Sequence, residues 1–228
     1  MQVTFVVYSS LIYDYVAADV YALALADEAL IRVDEYNNAL IVSRIGEELL
    51  ARLVVESIAD LAPEDYAEQL QPLDGGLRIA AGDVVIDSQC CGDIGNYENW
   101  QRLLTQAPTK WQELWIGHPW IYARFDDDFA YFSEYYDYEQ APTDIRPRLV
   151  LPREEFVAGL REALAGLYAF FYLLRRVVLA DGAGENKAAL LDRLTDGYFP
   201  HDEDDAEPLG HGAPGPLAPR RIAGSVES

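Results

Sequence analysis

An apolar stripe that follows Pro152 constrains the fold of this chain more than any other feature of its sequence. Large apolar residues recur there every three or four positions over about six helical turns, the period of a helix buried along one side. The stripe consists of Phe156, Leu160, Leu164, Leu167, Phe171, Leu174 and Val178. Pro152 suits the start of such a helix and Asp181-Gly182 suits its end. The pattern predicts a helix over residues 153–180 that needs an apolar surface to cover.

Alternating and β-branched runs predict the strands that provide this surface. Residues 3–7 alternate as a strand, and the runs 29–33 and 39–42 flank an asparagine pair as in a β-hairpin. Residues 111–136 have the pattern of a meander with turns at 117–119 and 126–128. We therefore predict an α+β fold, an antiparallel sheet with the long C-terminal helix packed on one face. Shorter helices are predicted over 46–58, 63–70, 99–104 and 187–194, and a short buried strand over 83–87.

Composition divides the chain at residue 201. Half of the 228 residues are hydrophobic, which is enough for a sizeable core. From His201 onward, acids, glycines and prolines dominate, and such a segment buries too little apolar surface to offset the entropy of ordering it. We therefore predict a single globular domain over 1–200 and a disordered tail over 201–228.

The chain is strongly acidic, with 39 acids against 17 bases and a formal net charge of −22. Binding to nucleic acid requires a basic footprint that neutralises phosphates, so this charge disfavours a direct nucleic-acid partner. Two interpretations of the charge stay open. It keeps the surface soluble, or it matches the surface to a strongly basic protein partner.

The sequence also predicts a cytoplasmic protein. The N-terminal residues 1–8 lack the basic region and cleavage site of a secretory signal. The longest uncharged run of the long helix, Ala163–Leu174, has 12 residues and is too short to cross a bilayer, so no membrane partner is expected. The two cysteines, Cys90 and Cys91, are neighbours, and a disulfide between them would be strained and could not staple the fold.

One segment between residues 126 and 139 combines acids with aromatic residues as protein interfaces do. Tyrosine gives rigid contact area with a polar tip, and carboxylates accept paired hydrogen bonds from arginine. The candidate partner-binding residues are Asp126, Asp127, Asp128, Glu134, Tyr135, Tyr136, Asp137, Tyr138 and Glu139. An alternative interpretation is an edge strand whose acids prevent aggregation.

A second candidate site is a cysteine hydrolase built on Cys91 and His118, with Asp93 or Asp126 orienting the imidazole. A nucleophilic thiol needs a base within hydrogen-bond reach and an environment that lowers the pKa of the thiol. In the alternative interpretation both cysteines are buried small hydrophobes and His118 caps the turn that contains it.

No motif predicts a metal or a cofactor. Adjacent cysteines cannot supply the spaced pair that zinc coordination favours, and the acidic runs 126–128 and 202–205 do not alternate as calcium loops do. The glycines form neither a dinucleotide-binding nor a phosphate-binding loop. The four tryptophans, Trp100, Trp111, Trp115 and Trp120, are expected in the core or, alternatively, along an aromatic groove for a ligand.

A set of short motifs lies between residues 63 and 160. They are Pro63-Glu64-Asp65-Tyr66 followed by Asp74-Gly75-Gly76, then Trp115-Ile116-Gly117 before an aromatic meander, and Leu151-Pro152 leading to Glu155-Phe156-Val157 and Leu160. In their order these motifs resemble SUKH-type bacterial immunity proteins. The first 60 residues and the segments around Cys90 and His118 have no counterpart in that pattern. The resemblance implies a bacterial cytoplasmic inhibitor that binds a cognate toxin, and it transfers no catalytic residue.

These features predict a non-enzymatic acidic binding protein that neutralises a basic protein partner, as an immunity protein or a nucleic-acid mimic does. A small cysteine-dependent hydrolase using Cys91 and His118 is the alternative. A structural subunit that assembles with copies of itself through the long apolar helix is a third hypothesis.

Overall fold

The computed structural model of the protein describes residues 1–8, 18–32, 38–137, 144–180, 185–195 and 197. The strands are β1 (Gln2–Val7), β2 (Leu30–Arg32), β3 (Asn38–Ile41), β4 (Gly75–Ala81), β5 (Val84–Ile86), β6 (Gln112–Leu114), β7 (Ile121–Phe125), β8 (Phe129–Ser133) and β9 (Pro147–Pro152). The α-helices are α1 (Ala18–Ala26), α2 (Glu47–Ser57), α3 (Tyr66–Gln69), α4 (Tyr97–Gln106), α5 (Arg153–Val178) and α6 (Glu185–Leu194). Short 3₁₀ turns occupy Val42–Arg44, Pro63–Asp65 and Ile94–Asn96. The α+β class is confirmed.

The first sheet has five antiparallel strands in the order β2-β3-β1-β4-β5. Strand β1 lies at its centre and is buried from Thr4 to Val7. The hairpin predicted from residues 29–42 forms, with Leu30 opposite Leu40, although the loop between its strands lies outside the described residues. Strand β4 was not predicted, because Gly75-Gly76 has the composition of a turn. A Cβ on Gly75 would lie 2.2 Å from the carbonyl oxygen of Val6, so this close strand pairing requires glycine.

The second sheet is the predicted meander extended by one strand, in the order β6-β7-β8-β9. Two sheets therefore replace the single predicted one. Strand β9 was not predicted, and its register with β8 runs from Phe129 opposite Pro152 to Phe132 opposite Leu149. Because β8 lies between β7 and β9, the edge-strand interpretation of the acidic segment is wrong. The edges of this sheet are β6 and β9.

Helix α5 packs across both sheets and confirms the prediction made from its apolar stripe. Near its start, the Phe156 ring lies 4.9 Å from that of Phe132 and 5.9 Å from that of Phe125, both in the second sheet. One turn later a Cβ on Gly159 would lie 3.0 Å from a methyl carbon of Val3 in β1. Farther along, Gly166 lies against Ser43, where a Cβ would be 2.7 Å from the serine Cβ. The glycines let the helix backbone approach the first sheet closely, whereas aromatic side chains fill the space between the helix and the second sheet.

The burial of this helix bears on two further predictions. Every residue of the stripe from Phe156 to Val178 is buried within the chain itself, so the stripe is not available as a subunit interface. Of the described helices, α5 alone is long and apolar enough to cross a membrane, judged by length and composition; the core helix of a soluble protein passes the same test.

The remaining helices agree with the predictions except at the N-terminus. Helices α2, α3, α4 and α6 occupy the four short helical segments predicted, whereas α1 was not predicted. Helix α6 packs beside α3, where the Leu73 amide donates to the Leu194 carbonyl at 3.2 Å and the Arg193 guanidinium donates to the Leu70 carbonyl at 3.0 Å. The predicted disordered tail over 201–228 lies outside the described residues.

The substitution Phe156→Ala tests the packing of α5 on the second sheet. We expect it to lower the free energy of unfolding by about 3–5 kcal/mol, because it leaves a cavity among buried aromatic rings. Phe129→Ala makes the same chemical change on the exposed side of β8, where the ring is 41% exposed, and should cost only about 0.5 kcal/mol. Urea denaturation measures both values, and equal losses would contradict this packing.

Candidate functional site

The outer face of the second sheet, turned away from α5, carries a layer of aromatic and charged side chains. Along β7 the residues Ile121, Ala123 and Phe125 are buried, and Arg124 points to the other face. The Arg124 guanidinium lies 3.8 Å from the ring centroid of Tyr131, its partner on β8, and 5.2 Å from that of Trp111. This stacking fixes the arginine flat on the sheet.

The β7–β8 turn is held by the carboxylate of Asp126. It accepts hydrogen bonds from the backbone N–H groups of Asp128 (3.0 Å) and Phe129 (2.8 Å) and from the Tyr131 hydroxyl (2.6 Å). The tyrosine hydrogen bond, assisted by the backbone ones, lowers the pKa of Asp126. Asp126 therefore shapes the turn, while the side chains of Asp127 and Asp128 extend into solvent.

The same turn meets the first turn of α5. The backbone N–H of Arg153 donates to the Asp128 carbonyl at 2.8 Å, and the Arg153 guanidinium donates to the Asp126 carbonyl at 3.0 Å. Two exposed acids, Glu154 and Glu155, follow directly in the helix. We name this set of five carboxylates, at Asp126, Asp127, Asp128, Glu154 and Glu155, the acidic corner.

Sequence reasoning missed Glu154 and Glu155 as surface partners of the turn. Their position suits the positive end of the helix dipole, and that role explains them without a tertiary neighbour. Pairing of β9 with β8 brings them to the turn, so a strand predicted over 147–152 would have been the signal that placed them.

The rest of the predicted partner-binding segment lies at the opposite end of β8, one strand length of about 16 Å away at about 3.3 Å per residue. There Glu134 forms an ion pair with Arg148 at 2.9 Å, and Asp137 is exposed. Tyr136 pairs through its backbone with Trp120, and its ring packs on Tyr122 at 5.6 Å. Tyr138 and Glu139 lie outside the described residues. The segment thus presents two separate acidic ends rather than one continuous surface.

Tyr135 links the two sheets. Its hydroxyl accepts from the Asp87 amide at 3.0 Å and donates to the Asp87 carbonyl at 3.0 Å, just past the end of β5. Burial raises the pKa of Tyr135, and the Arg148 guanidinium lies 5.4 Å from its ring centroid. The Asp87 carboxylate itself pairs with Arg78 of β4. These contacts hold the Tyr135 hydroxyl against the first sheet, so its role is structural.

The cysteine loop is exposed, so the interpretation that buries both thiols in the core is wrong. The Sγ atoms of Cys90 and Cys91 lie 3.1 Å apart. Cys90 and His118 exchange backbone hydrogen bonds of 3.2 and 2.9 Å, and the His118 ring packs on Trp120 with 5.7 Å between centroids. The structure therefore brings the Cys90-Cys91 pair and the turn containing His118 together.

The contacts of these residues do not favour a hydrolase. The hydrogen bond with Cys90 is the main cause that raises the pKa of the Cys91 thiol, and the negative charge of an ionised Cys90 adds to it. A nucleophilic cysteine needs a lowered pKa. The Asp93 carboxylate accepts from the Gly95 amide at 2.7 Å and caps the 3₁₀ turn that precedes α4.

Only one of the four tryptophans is a core residue. Trp100 is buried against Phe132, whereas Trp115 is 40% exposed and packs on Trp120 at 5.8 Å between centroids. Trp111 and Trp120 are half-buried. Within the described parts of the chain, no group of three or more His, Cys, Asp or Glu side chains is placed to hold a metal ion.

Comparison of the chain with protein-family models, with curated proteins and with solved structures finds no match. The resemblance to SUKH-type immunity proteins stays a prediction from the sequence.

The variant Tyr131→Phe tests how the acidic corner is built. Removing the hydroxyl should raise the pKa of Asp126 toward its ordinary value, because the hydrogen bond that stabilises the carboxylate is lost. Since the pKa of Asp126 is lower in the folded than in the unfolded chain, its stabilising effect is present above the unfolded pKa and is lost as the pH falls through the folded one. The variant should therefore lose less stability on acidification than the natural chain.

Carbon-13 NMR titration of the Asp126 carboxyl measures this change directly. Tyr21→Phe, at an exposed position on α1, is the matched control and should leave the titration as it is. An unchanged Asp126 pKa in Tyr131→Phe would show that the tyrosine is not the cause of the shift.

Proposed function

We propose that this protein is a non-enzymatic acidic binding protein that neutralises a basic protein partner in the bacterial cytoplasm. The proposal rests on the acidic corner. It gathers five carboxylates from the β7–β8 turn and the start of α5 at one exposed end of the second sheet, beside the exposed side chain of Phe129.

The arginines nearest to the corner leave its outer carboxylates free to face a partner. Arg124 is stacked between Trp111 and Tyr131, and Arg153 donates to a backbone carbonyl. Neither of these arginine contacts engages the carboxylates of Asp127 or Asp128. Such acids accept paired hydrogen bonds from arginine and attract a cationic cleft over the range that salt screening permits.

The corner is also prepared for binding before a partner arrives. Three hydrogen bonds to Asp126 hold the turn, so little conformational freedom is lost when the surface is covered. Phe129 supplies apolar area of the kind that anchors protein interfaces, while the acids around it set the charge of the rim. Neutralisation is then both electrostatic and steric, because a cleft occupied by this corner is closed to its own anionic substrate.

The resemblance to immunity proteins supports a toxin as the partner, and the negative charge of the corner suits a basic toxin of the nuclease type. The residues that carry the resemblance and lie in α5, such as Phe156 and Leu160, are buried in the core. They bear on the fold. Of the five acids in the corner, only Glu155 also belongs to the residues that carry the resemblance.

A pair of charge reversals, Asp127→Lys with Asp128→Lys, tests the proposal. The probe is a strongly basic protein captured by the natural chain from its own lysate at low salt and then purified. We expect the reversal to weaken its binding by about tenfold or more, because like charges opposed across an interface cost several kcal/mol. Surface plasmon resonance at low and high salt measures the loss, which should lie mainly in the association rate.

The matched control is Asp60→Lys with Asp83→Lys, which changes the net charge equally at two exposed aspartates elsewhere. Asp126 is unsuitable for reversal because its carboxylate holds the turn. Equal weakening by both pairs would mean that binding follows overall charge alone, and failure of the natural chain to retain any basic protein would contradict the proposed function.

A further inference from the structure

The Cys90-Cys91 pair has a geometry that neighbouring residues rarely reach. Side chains of adjacent residues in extended chain point to opposite sides. Here Cys91 has a φ of 55°, which turns the chain so that both side chains project to the same side. The two Sγ atoms come within 3.1 Å of each other, and both residues are exposed to solvent.

Close backbone packing on both sides holds this loop in place. The Gly75 amide donates to the Gly92 carbonyl at 3.0 Å, and Cys90 is fixed by its two hydrogen bonds to His118. A Cβ on Gly92 would lie 2.4 Å from the Ser88 hydroxyl, and one on Gly117 would lie 2.3 Å from the Cys90 carbonyl oxygen. The thiols are therefore held together on a fixed loop and not on a free one.

We propose that Cys90 and Cys91 form a reversible modification site for low-molecular-weight disulfides of the glutathione type. The inference stands apart from the proposed binding function, since the loop shares no residue with the acidic corner. A structural explanation of the pair is poor, because a bond between neighbours closes no loop of chain and so adds no constraint to the fold.

The reaction consists of two thiol–disulfide exchanges. The thiolate of Cys90 attacks a sulfur of the small disulfide, forming a mixed disulfide and releasing one small thiolate. The hydrogen bond and the charge of Cys90 that raise the pKa of the Cys91 thiol are then gone, so Cys91 can act as the second nucleophile. The thiolate of the second cysteine then attacks the protein-side sulfur, which forms the Cys90–Cys91 bond and releases the second small thiolate. The two protein thiols lose two electrons and two protons, and the small disulfide is reduced to two thiols.

Proximity favours the second step, because the attacking sulfur already lies beside its target. The product is easily reversed for a different reason. Adjacent Cα atoms are about 3.8 Å apart, below the range of about 4.4–6.8 Å that an unstrained disulfide spans. Strained and exposed disulfides are the labile ones, so a dithiol reductant should reopen this bond readily.

Intact-mass spectrometry of the full chain, incubated with glutathione disulfide, tests the site. We expect the native protein to lose two hydrogen atoms without accumulating a glutathione adduct, and dithiothreitol to restore the original mass. Peptide mapping should place the new bond between Cys90 and Cys91. A stable glutathione adduct on the native chain, a disulfide-linked dimer or an unchanged mass would each overturn the proposal.

The variants Cys90→Ser and Cys91→Ser separate the two steps. Each retains one thiol, so each should stop at the mixed disulfide and carry one glutathione per chain. The natural chain unfolded in urea provides a measurement that needs no variant. It should accumulate the mixed disulfide, because the loop no longer holds the second thiol beside the first, and closure as complete as in the native chain would overturn the role of the loop.

Discussion

The packing of helix α5 across two sheets is the contact on which the rest of the structure depends. Neither sheet buries its inner face without the helix, since Phe156 fills the space beneath β7 and β8 while Gly159 lets the backbone approach β1. The large apolar residues of the stripe and the glycines beside it therefore have two effects. They exclude water from both sheets, and they set how far the helix stands from each of them.

The acidic corner follows from the way this helix begins. Strand β9 runs directly into α5 at Pro152 and Arg153, so the first helical turn starts at the same end of the second sheet as the β7–β8 turn. The positive end of the helix dipole offsets part of the repulsion among the carboxylates. The remaining repulsion is relieved when a cation approaches the carboxylates. A basic partner therefore lowers the electrostatic free energy of the corner, in addition to the direct contacts that it makes.

The spacing of apolar residues predicted most of the fold. It failed where the residue type at a position does not show which neighbours that position packs against. The long stripe, the hairpin and the meander were each predicted from local alternation. Strand β4 was concealed by Gly75-Gly76, which reads as a turn until the nearby carbonyl of Val6 is known. Strand β9 begins and ends with proline, a residue that argues against a strand, and it occupies a sheet edge where proline is tolerated. Because β9 was not predicted, the acidic corner was not predicted either. The convergence of the two thiols depends on a positive φ at a cysteine, which no sequence pattern indicates.

The position of α5 in the chain has a consequence for synthesis. The strands of both sheets and most of the acids precede it, and the element that covers both sheets reaches its end only at Val178. Local pairings such as the β2–β3 hairpin can form early, but a growing chain cannot complete its core until the helix has left the ribosome. Until then the apolar faces of two sheets remain uncovered, and the negative charge that precedes α5 opposes association between such chains.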